Sequence, residues 1–196
     1  MLNRKTVNPS ILAVLLLAVM LFACQLGSGG TLTPGGGNPT TPPQPTSSPR
    51  PTSPPVIGQR TKTSGCVSTK ALPDSACSPG AIFPEATKDQ ICTPGYSKQV
   101  RNVPDSVKNE VYAEYGITQH QPGEFEVDHL ISLELGGSND IANLWPEPAE
   151  PRPGFHEKDK VENYLHEQVC SSAISLQQAQ IEIASNWLAI YQAMPK

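Results

Sequence analysis

Asp128 and His129 stand side by side, and Asn143 and His156 follow downstream. A histidine near its ordinary pKa can take a proton from water at neutral pH. A carboxylate is a preferred ligand of hard divalent cations, and such a cation supplies positive charge where an oxyanion develops. An acid, a base and a later imidazole are therefore the residue types of metal-assisted hydrolysis. Neighbours in a strand point to opposite faces, so Asp128 and His129 reach one metal only if the strand twists or bulges. Alone, Asp128 reads as a cap and His129 as a packed histidine. Their surroundings give them the stronger reading.

Those surroundings are the stretch Glu126–Pro148, EVDHLISLELGGSNDIANLWPEP. An extended run ends at Asp128-His129, with apolar Leu130, Leu133 and Leu135 after it. Gly136-Gly137 breaks the run, at a step that suits positive φ or the close approach of another group. Ser138-Asn139-Asp140 continue the turn. A second run, Ile141 to Trp145, carries Asn143 and stops at Pro146. The pattern predicts a β-hairpin or an Ω-like loop. Beyond a proline-rich loop, His156 opens a segment of helical periodicity.

An Asp-His pair, Gly-Gly, Asn-Leu-Trp-Pro and a later histidine at a helix resemble the HNH endonuclease motif, the ββα-metal nuclease module. CTPGYSKQVRNVP (Cys92–Pro104), VYAEYGI (Val111–Ile117) and KDKVENYLHEQVC (Lys158–Cys170) resemble small secreted bacterial proteins with an HNH-like core. The resemblance covers roughly residues 66–194. It implies that His129 is the general base, Asp128 a metal ligand and His156 a second ligand, with Asn143 fixing the loop that orients His129. It also implies one divalent metal ion, Mg²⁺ or similar, whose shell is completed by water and phosphate oxygens. The segment from Asn143 to His156 is longer than in compact motifs, with EPAEPRPGF inserted. His166 therefore competes with His156 as ligand, and Asn139 with Asn143 as the motif asparagine. No CxxC pair accompanies the motif, so the cysteine zinc site of many HNH proteins is not expected.

Residues 1–24 carry Arg4 and Lys5, then an apolar run from Ile11 to Ala23. At about a dozen residues the run is short for a membrane span, which needs about 20, and it has the layout of a signal peptide. Leu21-Phe22-Ala23-Cys24 resembles a lipobox. The expectation is a membrane anchor through lipidated Cys24, with an ordinary cleaved signal or an uncleaved anchor as the other readings. Residues 25–64, rich in Pro, Thr, Ser and Gly, cannot bury enough surface to offset the entropy of ordering. They read as a disordered tether, which leaves residues 65–196 as one domain.

Of the five cysteines, Cys66, Cys77, Cys92 and Cys170 fall in that domain. An even number behind an export signal predicts two disulfides with three possible connectivities. Cys66–Cys77 with Cys92–Cys170 is the favoured pairing. Prolines keep residues 66–104 irregular, with Gln99–Val103 as a short strand. Helices are expected from Asp105 or Ser106 to about Tyr115, from Glu157 to about Val169, and from Leu176 to about Ala193 with Ser175 and Gln178 as a capping box.

The expected fold is α+β: a small ββα-metal core with additional helices, stapled by disulfides. The expected function is metal-dependent, sequence-nonspecific cleavage of DNA or RNA outside the cell by a monomer, with no protein partner evident. The net charge of −4 and pI near 5.5 oppose tight nucleic-acid binding. Lys98, Arg101, Lys108, Arg152, Lys158 and Lys160 are left to form a local basic patch. The alternative is a non-catalytic, surface-anchored protein that keeps the scaffold for binding.

Overall fold

The computed structural model describes residues 57–196. The signal segment, Cys24 and the tether as far as residue 56 lie outside the described residues. Residues 57–64, assigned by composition to the end of the tether, are tied into the domain. The Thr61 N–H donates to the Ala76 carbonyl at 2.9 Å, and Arg60 Nε donates to the Cys77 carbonyl at 2.8 Å. The Arg60 guanidinium also pairs with the buried Glu114 carboxylate. The tether's polar composition gave no sign of these long-range partners.

The elements, in chain order, are α1 (Lys88–Ile91), α2 (Tyr96–Val100), α3 (Asp105–Glu114), β1 (Phe125–His129), β2 (Leu144–Pro148), α4 (Phe155–Cys170) and α5 (Leu176–Ala193). The class is α+β. β1 and β2 form an antiparallel pair in which Asp128 faces Trp145 and Glu126 faces Glu147. The connection between them holds two 3₁₀ turns, Leu133–Leu135 and Ile141–Asn143. Leu130, Leu133 and Leu135 are all buried here, but in turns rather than in a continued strand.

β2 does not stop at Pro146. The Leu130 N–H donates to the Asn143 carbonyl, and the Ala149 N–H to the Glu124 carbonyl. Hydrogen-bonded pairs therefore fall at even-numbered residues of β1, and Pro146 and Pro148 face Val127 and Phe125 at the intervening positions. Proline lacks an N–H, and these are the positions that need none.

Gly136 and Gly137 fill both roles expected of them. Gly136 closes the first 3₁₀ turn at φ 73°. A Cβ on Gly137 would lie 1.7 Å from the Ile131 carbonyl oxygen, so only glycine fits. The Gln99–Val103 strand is not formed. Gly95, at φ 86°, starts α2 instead, and the backbone that follows is bonded by a side chain described below.

The hairpin lies between two apolar clusters. Val127 and Leu144 pack against Val111 of α3. Ile131 and Leu135, from the connection, join Val161, Leu165 and Val169 of α4 and Ala179, Ile183 and Trp187 of α5. Ser175 caps α5 by accepting the Gln178 N–H at 3.1 Å. Cys66–Cys77 and Cys92–Cys170 are both bonded, with Cα separations of 6.1 and 5.8 Å. Two disulfides point to an oxidising compartment. No described helix is long and apolar enough to cross a membrane.

Candidate functional site

Asn143 is fully buried and closes the connection on itself. Its Oδ1 accepts the Ile131 N–H at 2.8 Å, and its Nδ2 donates to the Ile131 and Ser138 carbonyls, each at 2.9 Å. These bonds tie Ile131, two residues after His129, to Ser138 on the far side of the Gly-Gly step. The resemblance implied that Asn143 orients His129 through this loop; its side-chain bonds run to Ile131 and Ser138.

His129 ends β1 with 1% of its surface exposed. Its Nε2 lies 3.2 Å from Asn139 Oδ1. That oxygen already accepts the Asn102 N–H at 3.0 Å, while Asn139 Nδ2 donates to the Val100 carbonyl at 2.7 Å. Two backbone partners thus fix which end of the amide faces His129. An acceptor faces Nε2, so Nε2 carries the proton and Nδ1 carries the lone pair. Nδ1 is buried without a protein partner. Burial lowers the pKa of His129 to about 4, although the neighbouring Asp128 and the Asn139 bond act to raise it. The ring is therefore neutral at pH 7, with the Nδ1 lone pair free, and burial makes it a weaker base than an ordinary imidazole. Asn139 reads from sequence as a turn residue. Its role depends on Val100 and Asn102 being carried to it, which local sequence does not encode.

Asp128 does not face His156. Its Oδ2 accepts from Lys158 Nζ at 2.6 Å. Lys158 is 1% exposed, so it is no part of a surface patch. The same ammonium donates to the His129 carbonyl at 2.8 Å and pairs with Glu162 one turn further along α4. Glu162 also accepts from Ser132 Oγ at 2.9 Å. Burial works against the charge on Asp128, but Lys158 outweighs it and holds the carboxyl below its ordinary range. Burial likewise works against the ammonium, and Asp128, Glu162 and Glu147 hold it above its ordinary range. Glu162 is pushed up to about 7 by burial, with Lys158 opposing.

Glu147 faces Glu126 across the hairpin and is fully buried, with its carboxyl against that of Asp128. Burial raises its pKa well above the carboxylate range; Lys158 opposes this, and Asp128 adds to it. Glu126 and Asp159 are also raised, first by burial and then by repulsion from Asp128. Arg101 acts electrostatically on Glu126, His129 and Asp159, and its side chain is exposed.

The ligand set expected for a divalent ion is not assembled. His156 is exposed, lies tilted against Phe155 with 4.3 Å between ring centroids, and forms no ion pair with a carboxylate among the described residues. The reason is that α4 begins at Phe155, one residue before the histidine, and turns Lys158 inward instead. Among the described residues, no three His, Cys, Asp or Glu donors around Asp128 come within 4.8 Å of one another. Cys92, His166 and Cys170 do meet that distance. However, the two sulfurs are bonded to each other, and a thiolate rather than a disulfide sulfur is the metal ligand. His166 Nε2 lies 3.1 Å from the Ile91 carbonyl at that far end of α4. A divalent cation therefore does not fit the donors at Asp128, whose place for a cation is taken by Lys158. No family model, no curated protein and no solved structure matches this chain.

Proposed function

We propose that this domain is an exported nuclease, acting on DNA or RNA without sequence preference and held at the membrane through Cys24. The observation that carries the reading is the His129 ring. Its tautomer is fixed by Asn139, and the Nδ1 lone pair has no protein partner. In the proposed reaction a water loses its proton to Nδ1 as its oxygen bonds to phosphorus, the ester P–O bond on the far side breaks, and the departing oxygen takes a proton from solvent water. Asn139 holds the ring, and Asn143 holds the loop behind it. Arg101 is the exposed cation on this face, clipped beside His129 through the backbone of Val100 and Asn102. A guanidinium there can pair with two phosphate oxygens at once.

The whole chain is incubated with plasmid, single-stranded DNA and RNA at low ionic strength. One series contains EDTA, and others contain Mg²⁺ or Mn²⁺. Cleavage is expected, with a loss of about 10²–10⁴ in rate for His129→Ala, the usual worth of a general base. Asn139→Ala is expected to slow cleavage while leaving the circular dichroism spectrum unchanged. Cleavage of none of the three substrates under any of these conditions would sink the nuclease reading. The second reading would then stand: a non-catalytic surface protein that keeps the hairpin for binding. The 1% exposure of His129 favours that second reading.

A further inference from the structure

Lys158 is an unusual lysine for a domain of this size. The lysines that form the other ion pairs, Lys62, Lys108 and Lys160, are 40, 46 and 58% exposed. Lys158 is 1% exposed and reaches from the first turn of α4 to the end of β1. An ammonium has three N–H donors, and oxygen takes all three. The acceptors are Asp128 Oδ2, the His129 carbonyl and Glu162 Oε1. Two carboxylates and a backbone carbonyl are also what a hard divalent cation takes as ligands. Glu147 adds a third, fully buried carboxyl set against that of Asp128. A second cation in this cage would meet the ammonium head-on, where water cannot screen the repulsion.

We infer that the Lys158 ammonium is the resident cation of this site, standing where a divalent ion would otherwise sit on Asp128. The domain then holds the Asp128–His129 corner without metal. One ammonium does what a bound ion would do structurally: it neutralises Asp128 and fixes the His129 carbonyl, and so the backbone that carries the ring. This deepens the reading of the same site, and rests on it only in what it says about turnover.

The test is Mn²⁺ binding to the whole chain, followed by electron paramagnetic resonance, for wild type, Asp128→Asn, Lys158→Ala and the Lys158→Ala/Asp128→Asn double variant. Wild type is expected to bind no Mn²⁺ that depends on Asp128, and EDTA is expected to leave its melting temperature unchanged. Lys158→Ala is expected to gain a one-to-one Mn²⁺ site that the double variant lacks. Folding of Lys158→Ala only when Mn²⁺ is added would support the inference equally. A wild-type Mn²⁺ signal abolished by Asp128→Asn would overturn it, as would a folded Lys158→Ala that gains no site. If Lys158→Ala folds under neither condition, the wild-type comparison alone decides, in the same two directions. The nuclease reading fails separately. A chain that cleaves nothing leaves the cation assignment intact, whereas cleavage that needs Mn²⁺ and Asp128 removes the assignment and keeps the nuclease.

Discussion

The depressed pKa of His129 makes the residue a measurable source of acid sensitivity. In the unfolded chain it titrates near 6.5, and in the folded domain near 4. Between these values the unfolded state binds the extra proton, so stability falls as pH falls through that window. At roughly 1.4 kcal/mol per pKa unit, the loss from His129 is about 3 kcal/mol. Glu162, pushed up to about 7, and Glu147 act with the opposite sign: the folded state binds their protons more tightly, so acidification favours it. The wild-type curve is a sum of these opposed effects. The difference between wild type and His129→Gln isolates the histidine. Denaturant unfolding from pH 7 to pH 4 should give wild type the steeper loss. Parallel curves for the two proteins would show that His129 is not buried neutral. The same burial limits what sequence can convey about single residues. The adjacency of Asp128 and His129 is legible as a site because it is local. Lys158 reads as one more surface lysine, and its i, i+4 spacing to Glu162 is the sole local trace of the network. Asn139 is legible only as a turn residue and competing motif asparagine, because the partners that give it its role are 37–39 residues away in sequence.

At the scale of elements, helices α3, α4 and α5 were legible because their apolar periodicity is written within a few residues; of their N-caps, the Ser175 side chain of α5 forms as expected, whereas α3 is capped at Pro104 rather than at Asp105 or Ser106. Asn143 and Gly137 were legible for a related reason: each satisfies or avoids backbone groups in its own loop. The Gln99–Val103 strand was misread because two apolar positions suit either structure, and no partner strand is available to it. The Asn139 amide takes the backbone groups of Val100 and Asn102 instead. Pro146 was misread as a stop because register, not composition, decides whether a strand proline is harmful. Parity and an export signal predict two disulfides but leave three connectivities open, and the structure bonds Cys66 to Cys77 and Cys92 to Cys170. The two bonds should differ in worth. Cys92–Cys170 spans a sequence separation of 78 and Cys66–Cys77 one of 11. Loop-closure entropy gives about 4.5 kcal/mol for the first and about 3 kcal/mol for the second. Cys92–Cys170 also ties α4 to the segment that leads into α2, and so to the Asn139 clip. Replacing Cys92 and Cys170 with alanine should lower the melting temperature more than replacing Cys66 and Cys77. An equal or reversed order would place the constraint in native packing rather than in the unfolded chain.

For the whole molecule the controlling fact is charge. The chain is formally −4, and the face beside His129 carries Glu126, Asp128 and Asp159. Lys158 is consumed internally, so the basic patch expected from composition loses a member. Arg101 is the exposed cation that the structure ties to this face. A polyanion therefore binds through few contacts, and salt dependence reports how many. Each neutralised phosphate adds about −0.9 to the slope of log affinity against log salt for duplex DNA, and about −0.7 for a single strand. Binding of His129→Ala, which cleaves slowly, can be followed by fluorescence anisotropy on labelled DNA across a salt series. Its slope should be shallow. Adding Arg101→Ala should reduce the slope by about 1 and weaken all sequences alike, as loss of one phosphate contact does. Adding Lys158→Met should leave the slope unchanged, because an ammonium already paired with Asp128 and Glu162 releases no counterion. An Arg101 variant with the parent slope would mean that nucleic acid, if bound, approaches from another face. A Lys158 variant that flattens the slope would mean that the ammonium leaves its cage to meet phosphate, and that the cage is a resting state rather than a fixed part of the fold.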